Sequence, residues 1–394
     1  MLPLISNPVF SFMFKKNLYI ILLLISTASV CQVQNLVDKF DLPSEVTETS
    51  GLLFLNGKIL THNDSGDGPK LYEIDTISGA ITRTITIANA THIDWEDIAQ
   101  DDTYIYIGDI GNNNGTRTDL KIYRILKSDV VSENSINSES ITFYYEDQSD
   151  FTSKVNNNNF DAEAISIYKD KIVIFTKNWV DNTVNAYTIP KIIGNHTAKK
   201  MSTYNSEGLI TGSAYNEMDD SFLLSGYTNV GKPFLVFIKN NNPINENFFS
   251  GTIEKTDINP IIGTSQIEGI TLINGKKYFL SREKVTAIFN GFPIVLNQKL
   301  YRFDNGSFVL NTTDFYKEKQ VLFPNPSGDM IHIKNINSQS IENIKILDIG
   351  GRLYVSQTLI NNNQISISRL KSGLYFVRIR LKDQRLIIKK FIKN

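Results

Sequence analysis

The stretch DWEDIAQDDTYIYIGDIGNNN, Asp94 to Asn114, decides the fold of this 394-residue chain. It reads as an acidic turn, a short apolar strand, a polar turn, a second apolar strand and a polar loop. Short apolar runs bounded by Gly, Asn and Asp mark strands between turns. The same plan recurs four more times: TSGLLFLNGKILTHND from Thr49, DAEAISIYKDKIVIFTKN from Asp161, ITGSAYNEMDDSFLLSGY from Ile210 and QIEGITLINGKKYFLSRE from Gln266. With Ser50, Glu96, Glu163, Thr211 and Glu268 aligned, a polar cluster follows about 13 to 15 residues later in every copy. Self-similarity at spacings of about 45 to 65 residues, built from short strands, predicts a β-propeller.

Working outward, residues 33–42 form a strand-like run before the first repeat. The first four repeats each supply an inner strand and further strands after it. The fifth, from Glu268, supplies strands at 277–281 and 300–303 but no outer one. Pairing 33–42 with 300–303 removes two open edges, which all-β folds must manage. Five blades are therefore expected. Six is the alternative, if the insert at 127–160 holds an extra pair of strands. Residues 32–316 are assigned to this propeller.

The net charge is -1, with 41% hydrophobic and 21% charged residues. That balance gives no electrostatic case for binding nucleic acid or an anionic membrane. The single cysteine, Cys31, rules out a disulfide within the chain and a thiolate metal cluster. Lys15 and Lys16 precede an apolar run at 18–25, followed by small residues at 26–29. This predicts a secretory signal over residues 1–31, cleaved before Gln32, with Ser29 and Cys31 at the small-residue positions. Lipidation at Cys31 is the alternative. The run is too short to span a bilayer, so no transmembrane segment is expected in the mature chain. Met13 could be the true start.

Residues 317–320 read as a polar boundary. The 74 residues from 321 to 394 alternate apolar positions at Ile344 and Ile346, then at Tyr375, Val377 and Ile379, between Gly turns. A small β-sandwich is expected. The blocks Phe323-Pro324-Asn325-Pro326, Leu347-Asp348-Ile349-Gly350-Gly351-Arg352, Leu370-Lys371-Ser372-Gly373-Leu374-Tyr375 and Lys389-Lys390-Phe391 resemble the type A C-terminal sorting domain of the type IX secretion system of Bacteroidetes. The resemblance covers the whole segment. It implies passage to the periplasm, then across the outer membrane by the type IX machinery, to a released or surface-anchored product. In the propeller, the blocks at 61–66, 94–99 and 108–113 resemble secreted Bacteroidetes propellers, and more loosely phytase-like and SdiA-regulated propellers. Phytase-like propellers use a calcium-lined face to cleave phosphate esters. This chain lacks a matching cluster of basic and acidic residues.

In an antiparallel blade the turn entering the first strand and the turn between the second and third lie on one face. The first set carries Glu48 and Ser50, Asp94 and Glu96, Asp161 and Glu163, Thr211 and Glu268. The second carries His62-Asn63-Asp64, Asp109 with Asn112 and Asn113, Lys177-Asn178-Trp179, Tyr227, and Arg282-Glu283. Asp and Asn also serve turns as backbone acceptors, so convergence is what points to a site. Clustered carboxylates repel unless a cation, a proton or basic partners compensate them. Oxygen-rich, thiol-free ligands favour calcium or magnesium. Glu96, Glu163, Glu268 and Asp109 are the expected metal ligands. Asp64, Trp95, Asn112, Asn113, Lys177, Arg282 and Glu283 are the expected ligand-binding residues.

HExxH, Walker and GxSxG motifs are absent, and only four histidines occur. Two functions follow. The first is a non-enzymatic module that binds an unknown extracellular ligand or a cation on an acidic funnel. The alternative is a calcium-dependent esterase or phosphoesterase in which Glu96, Asp109 or His62 serves catalysis.

Overall fold

The computed structural model describes residues 31–239, 247–289, 292–307, 322–333, 341–348, 352–357, 364–381 and 386–394. Residues 1–30 of the expected signal at 1–31 and the expected boundary at 317–320 fall outside them. The chain divides into one unit ending at Phe308 and a second starting at Val309.

The first unit is nearly all β. Strand β1 is Cys31–Asp41. The first sheet is β2 (Thr49–Leu55), β3 (Lys58–Asn63), β4 (Lys70–Asp75) and β5 (Ile81–Ile87) in that order. The second group is β6 (Trp95–Gln100), β7 (Tyr104–Asp109) and β8 (Lys121–Leu126). Its outer strand is β10 (Glu139–Tyr145), while β9 (Ser135–Ile136) joins the edge of the first sheet. The third is β11 (Ala162–Tyr168), β12 (Lys171–Thr176), β13 (Val184–Pro190) and β14 (Gly194–Tyr204). The fourth is β15 (Leu209–Asn216), β16 (Ser221–Tyr227), β17 (Pro233–Lys239) and β18 (Thr252–Asp257). The fifth begins with β19 (Ile267–Asn274) and β20 (Lys277–Arg282). The hairpin β21 (Val285–Phe289) and β22 (Phe292–Leu296) intervenes, and β23 (Lys299–Ser307) completes the chain's own part.

The expected closure is present. Strand β1 pairs antiparallel with β23, Val33 opposite Asn305 and Phe40 opposite Leu300. The fifth sheet thus reads β1-β23-β20-β19. The insert at 127–160 builds no sheet of its own. It gives β9 to the first sheet and β10 to the second, and β10 pairs in parallel with β14. That pairing fuses the second and third groups into one eight-stranded sheet and covers two outer edges.

Packing runs round in a cycle. Leu60 and Leu71 meet Ile98 and Ile105 between the first and second groups. Tyr106 and Ile122 meet Ile165 and Ile174, and then Phe175 meets Phe222 and Leu224. Leu223 and Leu235 meet Ile270 and Tyr278. Leu52 and Ile59 meet Phe279 and Leu300, which joins the fifth sheet to the first. Strand β16 is covered on both faces and buried at every position, whereas the outer strands β5 and β18 keep exposed positions.

Every inner strand carries a register shift at its start. The shifts fall between Thr49 and Leu52, Trp95 and Asp97, Ala162 and Ala164, Ile210 and Gly212, and Ile267 and Ile270. A bulge bends the strand and re-aims one side chain. Small residues follow it where the next inner strand passes. A Cβ on Gly212 would lie 2.4 Å from the Glu268 carbonyl oxygen, and one on Gly269 would lie 2.2 Å from that of Ser50. Asp97 takes the equivalent place in β6. Its carboxylate accepts Ile98 N at 2.8 Å and Ile165 N at 2.9 Å, tying β6 to β11.

In the second unit, β24 (Leu322–Phe323), β25 (Met330–Ile333) and β28 (Gln364–Ser366) form a three-stranded sheet. Strands β26 (Ile341–Asp348), β27 (Leu353–Gln357), β29 (Gly373–Leu381) and β30 (Leu386–Lys393) form a four-stranded one in the order β27-β26-β29-β30. Ile331, Ile333 and Ile365 of the first pack with Ile344, Ile346, Val377 and Phe391 of the second.

Backbone at the Gly269 contact cannot yield as a flexible side chain could. Gly269→Ala should therefore cost about 1–3 kcal/mol and lower the melting temperature by several degrees. An unchanged melt would mean that successive inner strands are not held at this separation.

Candidate functional site

The bulge positions are Ser50, Glu96, Glu163, Thr211 and Glu268, the five residues aligned from the sequence. They are all buried, at the same end of the inner strands. Two carry hydroxyls that bond to the next inner strand. Ser50 Oγ donates to the Glu96 carbonyl, and Thr211 Oγ1 donates to the Ile267 carbonyl at 2.6 Å. The other three carry carboxylates, and the turns beside them add Asp64, Asp94, Asp161 and Glu283.

One part of this face brings its own cation. Lys177 Nζ donates to Glu163 Oε1 at 3.0 Å, and both side chains are more than nine-tenths buried. The ammonium lies 5.0 Å from the Trp179 ring centre and 5.6 Å from that of Tyr227, a cation–π sandwich. Burial alone would lower the lysine. Glu163, Tyr227, Glu268 and Asp161 outweigh it and hold Lys177 well above its usual range. Asp161 accepts from Trp179 Nε1 at 2.7 Å and from Asn112 N at 2.6 Å. Burial still pushes Glu163 up to about 8 and Glu283 up to about 7, against the pull of Lys177 on each. Burial also lifts Glu268 well above the carboxylate range.

The other part has no cation of its own. Carboxylate oxygens of Asp64, Asp94 and Glu96 lie within 4.8 Å of one another. Burial raises all three. Asp94 and Glu163 raise Asp64 further, and Asp64, Glu163 and Asp94 do the same to Glu96. Among the described residues no Lys or Arg forms an ion pair with any of them. Glu96 Oε1 and Asp64 Oδ1 are buried without a hydrogen-bond partner. Gly111 makes room for this group. A Cβ there would lie 2.2 Å from Glu96 Oε1 and 2.4 Å from Asp94 Oδ2.

The remaining expected residues have other tasks. Asp109 does not join the cluster, because Arg117 Nη2 holds its Oδ1 at 2.9 Å in a fully buried position. Arg117 also binds Asp119 at 3.0 Å and the Gly111 carbonyl at 2.9 Å, so it anchors the loop. Among the expected metal ligands, Glu163 pairs with Lys177, whose charge also pulls on the raised Glu268. Arg282 turns away, donating to the Asn297 carbonyl at 2.9 and 3.1 Å. Trp95 is wholly buried, donates to the Thr91 carbonyl and packs edge-on to His62 and His92, so a ligand cannot reach it. Asn112 bonds Phe160 and Arg117 within the loop, and the Asn113 carbonyl accepts from Asn158. His62 is buried, and burial lowers it to about 4, which keeps it neutral. Its Nε2 is buried facing Gly51 without a hydrogen-bond partner.

The opposite end of the inner strands opens into a cavity of about 760 Å³, lined by Gln100, Lys127, Ile167, Lys191, Tyr215 and Leu272 among others. It lies away from the acidic face and shares none of its carboxylates.

Residues 321–394 match the family of secretion system C-terminal sorting domains. This domain directs the protein through the type IX system to the cell surface or the extracellular space. No described helix is long and apolar enough to cross a membrane. No curated protein matches the chain by sequence. Solved structures similar to it include an exo-β-1,3-galactanase of Phanerochaete chrysosporium, at 10% identity and a TM-score of 0.41 over 91% of this chain and 94% of that one. A GH43B protein of the Bacteroides ovatus xyloglucan locus matches at 10% and 0.42, over 89% and 84%. The extracellular domain of a hybrid two-component system protein of B. thetaiotaomicron matches at 10% and 0.33, over 92% of this chain. This chain spans 60% of that domain's length. No activity passes to this chain from likeness at this level.

Carboxyls raised by folding bind protons more tightly in the folded than in the unfolded state. Their contribution is present at low pH and is lost as pH rises through the folded values. In cation-free buffer the melting temperature should therefore rise as pH falls from about 8 to about 5. Glu96→Gln, which mimics the protonated side chain, should raise the melt at pH 8 and flatten the slope. A flat wild-type profile over this window would contradict the raised carboxyls.

Proposed function

We propose that this chain is an exported five-bladed β-propeller, followed by a C-terminal β-sandwich, that binds a divalent cation on its acidic face. The signal would be residues 1–31, the propeller 32–316, the linker 317–320 and the sorting domain 321–394. Five inner strands packed in a cycle, with β1 completing the last sheet, support the blade count.

The observation that supports the cation is the group of Glu96, buried, with Asp64 and Asp94, half-buried, which has no ion-pair partner among the described residues, beside Glu163, which Lys177 pairs. Oxygens within 4.8 Å of one another can share an ion at about 2.3–2.6 Å, the calcium distance. Three carboxylates can supply up to six oxygens, with water completing the shell. Calcium is the ion that best suits such a set. Bound there, it would present an open positive centre at the channel end to an acidic or hydroxylated extracellular ligand.

Metal-assisted ester hydrolysis ranks second. It needs a base beside the ion that is not itself a ligand. Glu96 would be a ligand, and Arg117 holds Asp109 through Oδ1. The phytase-like likeness rests on short sequence blocks and lends no activity.

Calcium should raise the melting temperature of the wild-type protein. A ligand at 100 times its dissociation constant stabilises by about 2.7 kcal/mol. Asp64→Asn with Glu96→Gln should remove the response. No shift in the wild type, or an equal shift in the double variant, would rule out this site.

A further inference from the structure

The two sheets of the second unit bury their apolar faces against each other, which leaves the four-stranded sheet a second face. Residues alternating with the core positions Ile344, Ile346, Tyr375, Val377, Ile379 and Phe391 lie on it. Lys345, Arg378, Arg380 and Lys390 supply four cations there. Leu347, Leu374, Phe376 and Ile392 supply apolar groups, and Leu374 and Ile392 are more than two-fifths exposed.

The register places these side chains side by side. Lys345 stands directly opposite Arg378. Phe376 is opposite Leu347 on one side and Lys390 on the other, and Leu374 is opposite Ile392. Like charges facing each other across a ladder are destabilising. Among the described residues of this unit, no carboxylate pairs with these four cations to offset the repulsion, and Leu374 and Ile392 stay exposed. An acidic partner bearing apolar side chains would offset the charge and cover the apolar residues.

We infer that this face is the surface by which the export machinery grips the sorting domain, and that the receiving surface is an acidic, partly apolar protein surface. The inference rests on the sorting-domain match of residues 321–394 and is independent of the cation site. Opposite charge steers the encounter and fixes the register of docking, while the apolar row supplies the desolvated centre.

The test uses the full-length chain in a type IX-competent host. Its readout is the ratio of surface and released protein to periplasmic protein. Lys345→Glu with Arg378→Glu should lower that ratio at least about tenfold. Lys345→Arg with Arg378→Lys should preserve it. So should Lys199→Glu with Lys232→Glu, which makes the same change of net charge on the propeller. Protease resistance of the periplasmic pool reports folding. If the reversal pair is unfolded, Leu374→Ser with Lys390→Glu decides by the same ratio. Wild-type export of a folded reversal variant would overturn the proposal, and so would equal loss in the propeller control. A third outcome would also overturn it: salt-sensitive binding of the purified chain to anionic phospholipid vesicles, abolished by the reversal pair while export is unchanged. The face would then belong to a membrane surface.

Discussion

The inner strands pack against one another in a cycle, and the bulge at the start of each is what that packing turns on. The bulge lets a strand bend at the point of closest approach, and it leaves one residue unpaired at each copy. Where that residue is Ser50 or Thr211, its hydroxyl ties its own strand to the next. Where it is Glu96, Glu163 or Glu268, a buried carboxylate is committed to that end of the inner strand whether or not a counter-charge is present. Gly212, Gly269 and the bridging carboxylate of Asp97 serve the same crossing. Architecture and charge therefore come from one local irregularity, repeated.

The charge is resolved unevenly. Lys177 stands between Trp179 and Tyr227 and answers Glu163, and Arg117 answers Asp109. Both pairs are buried, where leaving one partner alone would be costly. Asp64, Asp94 and Glu96 have no ion-pair partner among the described residues, though Lys177 pulls on Asp64 and both Arg117 and Lys177 on Asp94. A face that is half self-neutralised and half open localises an incoming ion to one place. A ring of free carboxylates would spread it over many.

Much of this was legible in the sequence. The repeats fixed the inner strands because Ser50, Glu96, Glu163, Thr211 and Glu268 recur before similar apolar runs. The strand at 33–42 found its partner because an orphan at each end of a repeat array has few alternatives. Lys177 and Glu283 were placed on the right face by strand alternation. The split of the carboxylates was not legible. Spacing cannot show that Arg117 reaches back to Asp109, that Arg282 turns to Asn297, or that Asp94 stands over Gly111. Trp95 read as a stacking surface because aromatic residues beside turns serve both cores and ligands, and only packing against His62 and His92 separates the two. The parallel pairing of β10 with β14 also escaped, since it joins edges 50 residues apart without a turn signal. One clue was present: the small or bonding residue after each bulge, Gly51, Asp97, Ala164, Gly212 and Gly269, marks the crossing point.

The central claim is that burial raises Asp64, Asp94 and Glu96 and that a divalent ion bound among them displaces the protons they carry. Proton release on adding calcium to the full chain in weakly buffered solution at pH 7 tests it most directly. The account predicts saturable release that parallels calcium binding and is lost in Asp64→Asn with Glu96→Gln. Calcium binding with no proton release, or release unchanged in that variant, would contradict it.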